Sequence, residues 1–152
     1  MINMDFVGTL VNQFNPEALI RILMAVILGG LIGYEREKSG HPAGLRTHLL
    51  VCLTSTILMT ATQQFFLGDS IARMGAAIVT GVGFLGAGAI IGYQKEVFGL
   101  TTAAGIWSIS GLGIIIGMGA YFEAIAAAIV FLIVLRLKPV EKKMIKKDGA
   151  PI

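Results

Sequence analysis

The sequence predicts an all-α protein: a polytopic membrane helical bundle of about five transmembrane helices, with a parallel internal repeat in which helices 1–2 resemble helices 3–4. Three observations predict it. Of 152 residues, 55% are hydrophobic and only 14% charged, whereas a soluble domain carries roughly a quarter charged residues. The mean hydropathy of +0.81 points the same way. The charges are confined between apolar runs long enough to cross a bilayer. Finally, the chain repeats itself. Ile32-Gly33-Tyr34-Glu35-Arg36-Glu37 aligns with Ile91-Gly92-Tyr93-Gln94-Lys95-Glu96 at four of six positions. Gly44-Leu45-Arg46-Thr47 aligns with Gly99-Leu100-Thr101-Thr102 at three of four.

Three regions follow: an interfacial or flexible N-terminus over residues 1–15, a transmembrane domain over 16–138 and a basic cytoplasmic tail over 139–152. Phe6, Val7, Leu10, Val11 and Phe14 recur at helical spacing, which suits an amphipathic helix at the interface and equally a frayed terminus. The segment lacks a basic start and carries Asp5, so no cleavable signal peptide is expected. The single cysteine, Cys52, rules out an intramolecular disulfide and a cysteine zinc cluster.

Helix 1 is predicted from Asn15-Pro16-Glu17 to about Tyr34. Asn15 can cap, Pro16 suits the first helical position and Glu17 complements the positive helix end. Arg21, one turn in, can snorkel to the headgroups. Gly29 and Gly33 form a GxxxG pair suited to close helix packing.

A charged loop, Gly33–His48, leads into helix 2, about Leu45–Phe66, which at about 1.5 Å per residue is about 33 Å long. His48, Cys52, Thr56, Thr60 and Gln64 recur at every fourth position as a slanted polar stripe. Lipid offers such groups no hydrogen-bond partners, so the stripe is expected to face protein, as interhelix glue or as a solvated ion path.

Gly68 ends helix 2, and Asp69-Ser70 can cap helix 3, about Ile71–Gly92. Gly81, Gly88 and Gly92, with neighbouring glycines, make helix 3 smooth and predict a tightly surrounded central helix. From Thr101 to Leu137 the only charged residues are Glu123 and Arg136. As one helix these 37 residues would run about 55 Å, against a hydrocarbon core of about 30 Å. The chain must turn, most naturally at Gly117-Met118-Gly119. Helix 4 is then about Thr101–Gly117, capped by Thr101 or Thr102, and helix 5 about Ala120–Leu137, ended by Pro139.

Five helices place ten of the twelve lysines and arginines on one side, leaving Arg21 and Arg73 on the other. The positive-inside rule then puts the N-terminus outside and the C-terminus and both charged loops in the cytoplasm. The net charge of +3 reports topology and lipid contact rather than nucleic-acid binding. Exposed small-residue faces suggest a homo-oligomer such as a dimer.

The candidate functional constellation is Glu35, Arg36, Glu37, Gly44, Leu45, Arg46, Thr47 and His48. Glu35 or Glu37 can pair with Arg46 through its planar fork and close the end of a helical hairpin. The same cluster can be a salt-bridged turn that fixes topology, or a site that senses a partner or an ion. No nucleophile–base triad is visible, and no Asp or Glu falls in the middle of a span, so no catalytic residue, metal ligand or cofactor is expected.

GYEREKSGHPAGLRTHLLVCL resembles the signature of the MgtC/SapB family of small bacterial inner-membrane proteins, and VGFLGAGAII with GLTTAAGIW resembles its second block. The resemblance covers about Ala18 to Val140. It implies association with magnesium limitation, acid stress and survival in phagocytes. It also implies regulation of membrane partners, including ATP synthase and magnesium transporters. The family's glutamate–arginine–glutamate and Gly-Leu-Arg-Thr motifs fall on Glu35–Glu37 and Gly44–Thr47. Many members carry a soluble C-terminal domain, and this chain looks like a short form with only a basic tail. Two functions remain: a membrane regulator, or a magnesium or proton transporter using the polar face of helix 2.

Overall fold

A computed structural model describes residues 15–66, 68–93 and 96–137. Residues 1–14 and the basic tail, and with them the expectations for both, lie outside the described residues. The elements are α1 (Pro16–Lys38), α2 (Leu45–Phe65), α3 (Ser70–Gly88), a hairpin of β1 (Ile91–Tyr93) and β2 (Glu96–Phe98), α4 (Leu100–Gly117) and α5 (Tyr121–Leu135). Four of the five helices, α1 to α4, are long and apolar enough to cross a membrane. The fifteen residues of α5 span about 22 Å, shorter than expected for helix 5.

Local chemistry explains where α1 begins and ends. Asn15 Oδ1 accepts from the amides of Glu17 at 3.0 Å and Ala18 at 3.4 Å, the capping geometry that its residue type favours. At the other end α1 continues a full turn past Tyr34, through the first charges of the expected loop. It stops in a Schellman motif: Gly40, at φ 72°, donates to the Glu37 carbonyl, and His41 donates to the Arg36 carbonyl.

α2 is the spine of the bundle. α1 runs antiparallel to it at backbone-close distance, because Gly29 and Gly33 leave no side chain in the way. A Cβ on Gly29 would lie 2.9 Å from Cys52 Cβ, and one on Gly33 would lie 2.9 Å from Leu45 Cα. On the opposite flank α4 runs parallel to α2, with Gly113 and Gly117 against Cys52, Ser55, Thr56 and Met59. The stripe on α2 therefore faces protein over most of its length. His48, Cys52, Thr56 and Thr60 are buried, and Gln64 is exposed. Thr56 Oγ1 donates to the Gly113 carbonyl at 3.0 Å and Thr60 Oγ1 reaches toward that of Gly117 at 3.5 Å. The main core lies between these helices and α5, with Ile109, Leu112, Ile116, Ala25 and Ala124 fully enclosed.

Several expectations are corrected. The enclosed glycine helix is α4, not helix 3: Gly81, Gly88 and Gly92 have no atom within 4 Å of the place a Cβ would occupy. Helix 3 ends at Gly88, and the aligned second loop folds as an antiparallel hairpin pairing Ile91 with Phe98. The first aligned block, Ile32–Glu37, is helical whereas Ile91–Tyr93 is a strand, but the second block is alike in both copies: Gly44 and Gly99 each precede a helix opened by Leu45 or Leu100. Asp69 makes no side-chain cap, and α4 is entered through Gly99, at φ 86°, rather than capped by Thr101 or Thr102. The turn expected near Gly117–Gly119 is present, with Gly119 at φ 80°.

Arg21 does not snorkel. It is 8% exposed and ties the far end of the bundle together. Its Nη1 donates to Gln63 Oε1 at 2.6 Å and to the Gly117 carbonyl at 2.5 Å, and its Nη2 to Glu17. α1 and α5 consequently start at the same end.

A candidate functional site at the loop end of the bundle

The loop end holds a second buried arginine. Arg36, in the last turn of α1, is 2% exposed because the end of α5 closes over it. Its Nε donates to Glu35 Oε2 at 2.5 Å, its Nη2 to the Leu135 carbonyl at 3.1 Å, and its Nη1 lies 3.3 Å from His41 Nε2. Ser39 Oγ donates to the second oxygen of Glu35 at 2.9 Å. Both Glu35 oxygens are thereby occupied, and the guanidinium is held in one orientation.

The constellation proposed from sequence is divided by the structure into three groups. Glu35 and Arg36 form the cluster just described. Glu37, Gly44 and Leu45 form a helix cap: Glu37 Oε2 accepts from the Leu45 amide at 2.8 Å, a carboxylate at the positive end of α2. Gly44 leaves room for this cap, since a Cβ would fall 2.8 Å from that same oxygen and the Glu37 side chain would have to shift. His48 points inward. Its Nδ1 is 2.9 Å from the Gly44 carbonyl, which can only accept, so Nδ1 carries the proton. Nε2 is buried without a hydrogen-bond partner and faces Gly105, whose Cβ would sit 3.4 Å away. Thr47 is half-buried.

Arg46 is the correction. It is exposed and forms no ion pair with Glu35 or Glu37 among the described residues. Glu35 is taken by its sequence neighbour, and Glu37 by the backbone of α2. The residues that sequence reasoning missed are Ser39, His41 and the α5 terminus, Leu135 and Arg136. The His41-Pro42 pair inside a charged loop was the available signal for the first part. Nothing local marks Leu135, which acts through its carbonyl.

Beside the cluster is a cleft of about 990 Å³ between the ends of α1 and α5. Arg36, Lys38 and Arg136 contribute three cationic groups to its lining and Glu35 one carboxylate. Leu31, Tyr34 and Leu132 supply apolar wall. Among the described residues no three His, Cys, Asp or Glu side chains gather where a metal ion could be held. The chemistry available at this end is that of fixed cations beside an apolar groove.

A family model described as the MgtC family matches residues 22–144. A protein of Escherichia coli K12 described as "Putative magnesium transporter YhiD" is 40% identical over 129 residues, covering 80% of this chain and 60% of that protein. A Haemophilus influenzae protein is 35% identical over 149 residues, covering 90% and 63%. "Protein MgtC" of Salmonella typhimurium LT2 is 40% identical over 114 residues, covering 75% and 49%. The chain thus spans about half to five-eighths of the length of these relatives. No solved structure matches the chain.

Proposed function

Because the chain belongs to the MgtC family, we propose that it is a non-enzymatic protein of the bacterial inner membrane that regulates membrane-protein partners during magnesium limitation or acid stress. The supporting observation is what becomes of the polar stripe on α2. Cys52 and Thr56 are fully buried against α1 and α4, and the threonine hydroxyls are spent on carbonyls of α4. Groups used to join helices are not lining a water-filled path. The proposal assigns partner contact, with a second copy or another membrane protein, to α3, whose Gly81 and Gly88 leave an open face. It places the loop end in the cytoplasm: Arg36, Lys38, Arg46 and Arg136 gather there, and Arg21 and Arg73 lie at the other end, as the positive-inside rule favours.

A second reading, magnesium or proton transport, draws on the name of the Escherichia coli relative and on the unpartnered His48 Nε2 inside the bundle. The deciding measurement is magnesium and proton flux into liposomes holding the purified, folded chain. The expected result is flux equal to that of empty liposomes. Flux above that level, abolished by His48→Leu, would replace the regulatory reading with transport.

A further inference from the structure

We infer that the cleft between the ends of α1 and α5 is a binding site for the phosphate headgroup of an anionic glycerophospholipid, whose acyl chains run along the groove between the two helices. The inference rests on the membrane placement of the chain, and holds whether the protein regulates partners or moves ions.

The first consideration is charge. Arg36, Lys38 and Arg136 line the cleft, the last two exposed, and the one carboxylate, Glu35, already has Arg36 on one oxygen and Ser39 on the other. The cleft therefore carries excess positive charge that nothing within its lining neutralises. Basic pockets between helices on one side of a membrane suit phosphate headgroups.

The second is preorganisation. A guanidinium has five N–H donors in a fixed fork. Nε of Arg36 is directed at Glu35 and one N–H of Nη2 at the Leu135 carbonyl, and Nη1 lies beside His41. Arg36 itself is 2% exposed, so it stands as a fixed charge behind the cleft wall, and a headgroup phosphate meets the exposed cations at the rim. Lys38 and Arg136, both exposed, stand at the rim, where they can close on the same phosphate.

The third consideration separates a lipid from a free anion. A volume of about 990 Å³ far exceeds what inorganic phosphate would fill. Leu31 and Tyr34, which form part of the wall, are 52% and 59% exposed on the outer surface of α1. In a membrane that surface is lipid, so the groove is continuous with hydrocarbon on one side and with the cation cluster at its end. An acyl chain fits the first part and a headgroup phosphate the second.

The test is native mass spectrometry of the full chain, released from detergent with phosphatidylglycerol or phosphatidylcholine added. Phosphatidylglycerol should be retained in preference to phosphatidylcholine. The double variant Lys38→Gln/Arg136→Gln, which changes only exposed side chains, should lower phosphatidylglycerol affinity roughly 30-fold, taking about 1 kcal/mol per charge and 1.4 kcal/mol per decade. Lys146→Gln/Lys147→Gln, which removes two tail charges instead, should lower it less than about threefold. Equal losses in both double variants would overturn the site by making net charge the cause. Complete displacement of the lipid by millimolar inorganic phosphate would overturn it by making the cleft a free-anion site. Either result bears on lipid alone and leaves the flux experiment to judge regulation against transport.

Discussion

α3 and α4 are made of nearly the same material and end in opposite environments. α3 carries five glycines in nineteen residues and α4 four in eighteen. Yet 56% of the apolar window of α4 is buried, against 17% of that of α3. The difference lies in what each glycine meets. Gly105, Gly113 and Gly117 sit at near-fourth spacings and fall opposite His48, Cys52, Ser55, Thr56 and Met59, side chains whose own four-residue spacing on α2 matches. Among the described residues the glycines of α3 have no such partner, apart from Gly86 against Ala103 and Gly75 at the edge of Met59. Glycine in a membrane helix is a capacity for close approach, and only a complementary ridge uses it.

The sharpest way to break this comparison is to fill a used glycine. A Cβ at Gly113 would lie 2.5 Å from the Cys52 carbonyl oxygen and 2.7 Å from Ser55 Cβ, and backbone cannot swing aside as a flexible side chain can. Gly113→Val is expected to cost about 3 kcal/mol through overpacking and to abolish the monodisperse peak in detergent gel filtration. A retained peak with unchanged melting would show that α2 and α4 are not in contact at this level.

A smaller effect is expected from the hydroxyls. Thr56→Val removes the bond to the Gly113 carbonyl and should lower stability by about 1 kcal/mol, read as a drop of a few degrees in thermal melting. Thr80 on α3 is exposed and donates to Ala76 of its own helix at 2.9 Å, so Thr80→Val should stay within about 0.5 kcal/mol of the parent. Similar drops in both variants would remove the distinction between the two helices.

The last effect has the opposite sign. Gly81 has open space around it, so Gly81→Ala should gain helix propensity, up to about 1 kcal/mol, and raise the melting temperature of the isolated chain. A loss of stability instead would mean that another surface already covers α3 in the purified protein.

Much of the fold was legible because local chemistry decides it. Asn15-Pro16-Glu17 starts α1 through a side-chain cap that needs no distant partner. Gly117–Gly119 turns the chain where length forbids one helix. The four-residue spacing from His48 to Thr60 identified the protein-facing side of α2, since lipid cannot satisfy those groups. The choice between α3 and α4 as the enclosed helix was not legible, because glycine content is nearly equal and the deciding residues sit on α2. The candidate site divides in the same way. Glu35 and Arg36 were identifiable as a charged cluster at a helix end, whereas the preference for Arg36 over Arg46 comes from the end of α5. Arg46 had the better local position, opening α2 beside two nearby glutamates. It is left in the open because Arg36 takes one of those carboxylates and the amide of Leu45 takes the other.

The bond from Arg36 to the Leu135 carbonyl joins residues 99 apart in sequence, and that separation has a meaning for biogenesis. A nascent chain that has inserted only α1 and α2 presents Arg36 without its lid, a hydrated cation at the rim of an open hairpin. Not until the ribosome has delivered α5 is that charge covered. Completion of the cluster therefore waits for the last described helix, and the cation at the end of α1 is covered only when α5 has packed beside it.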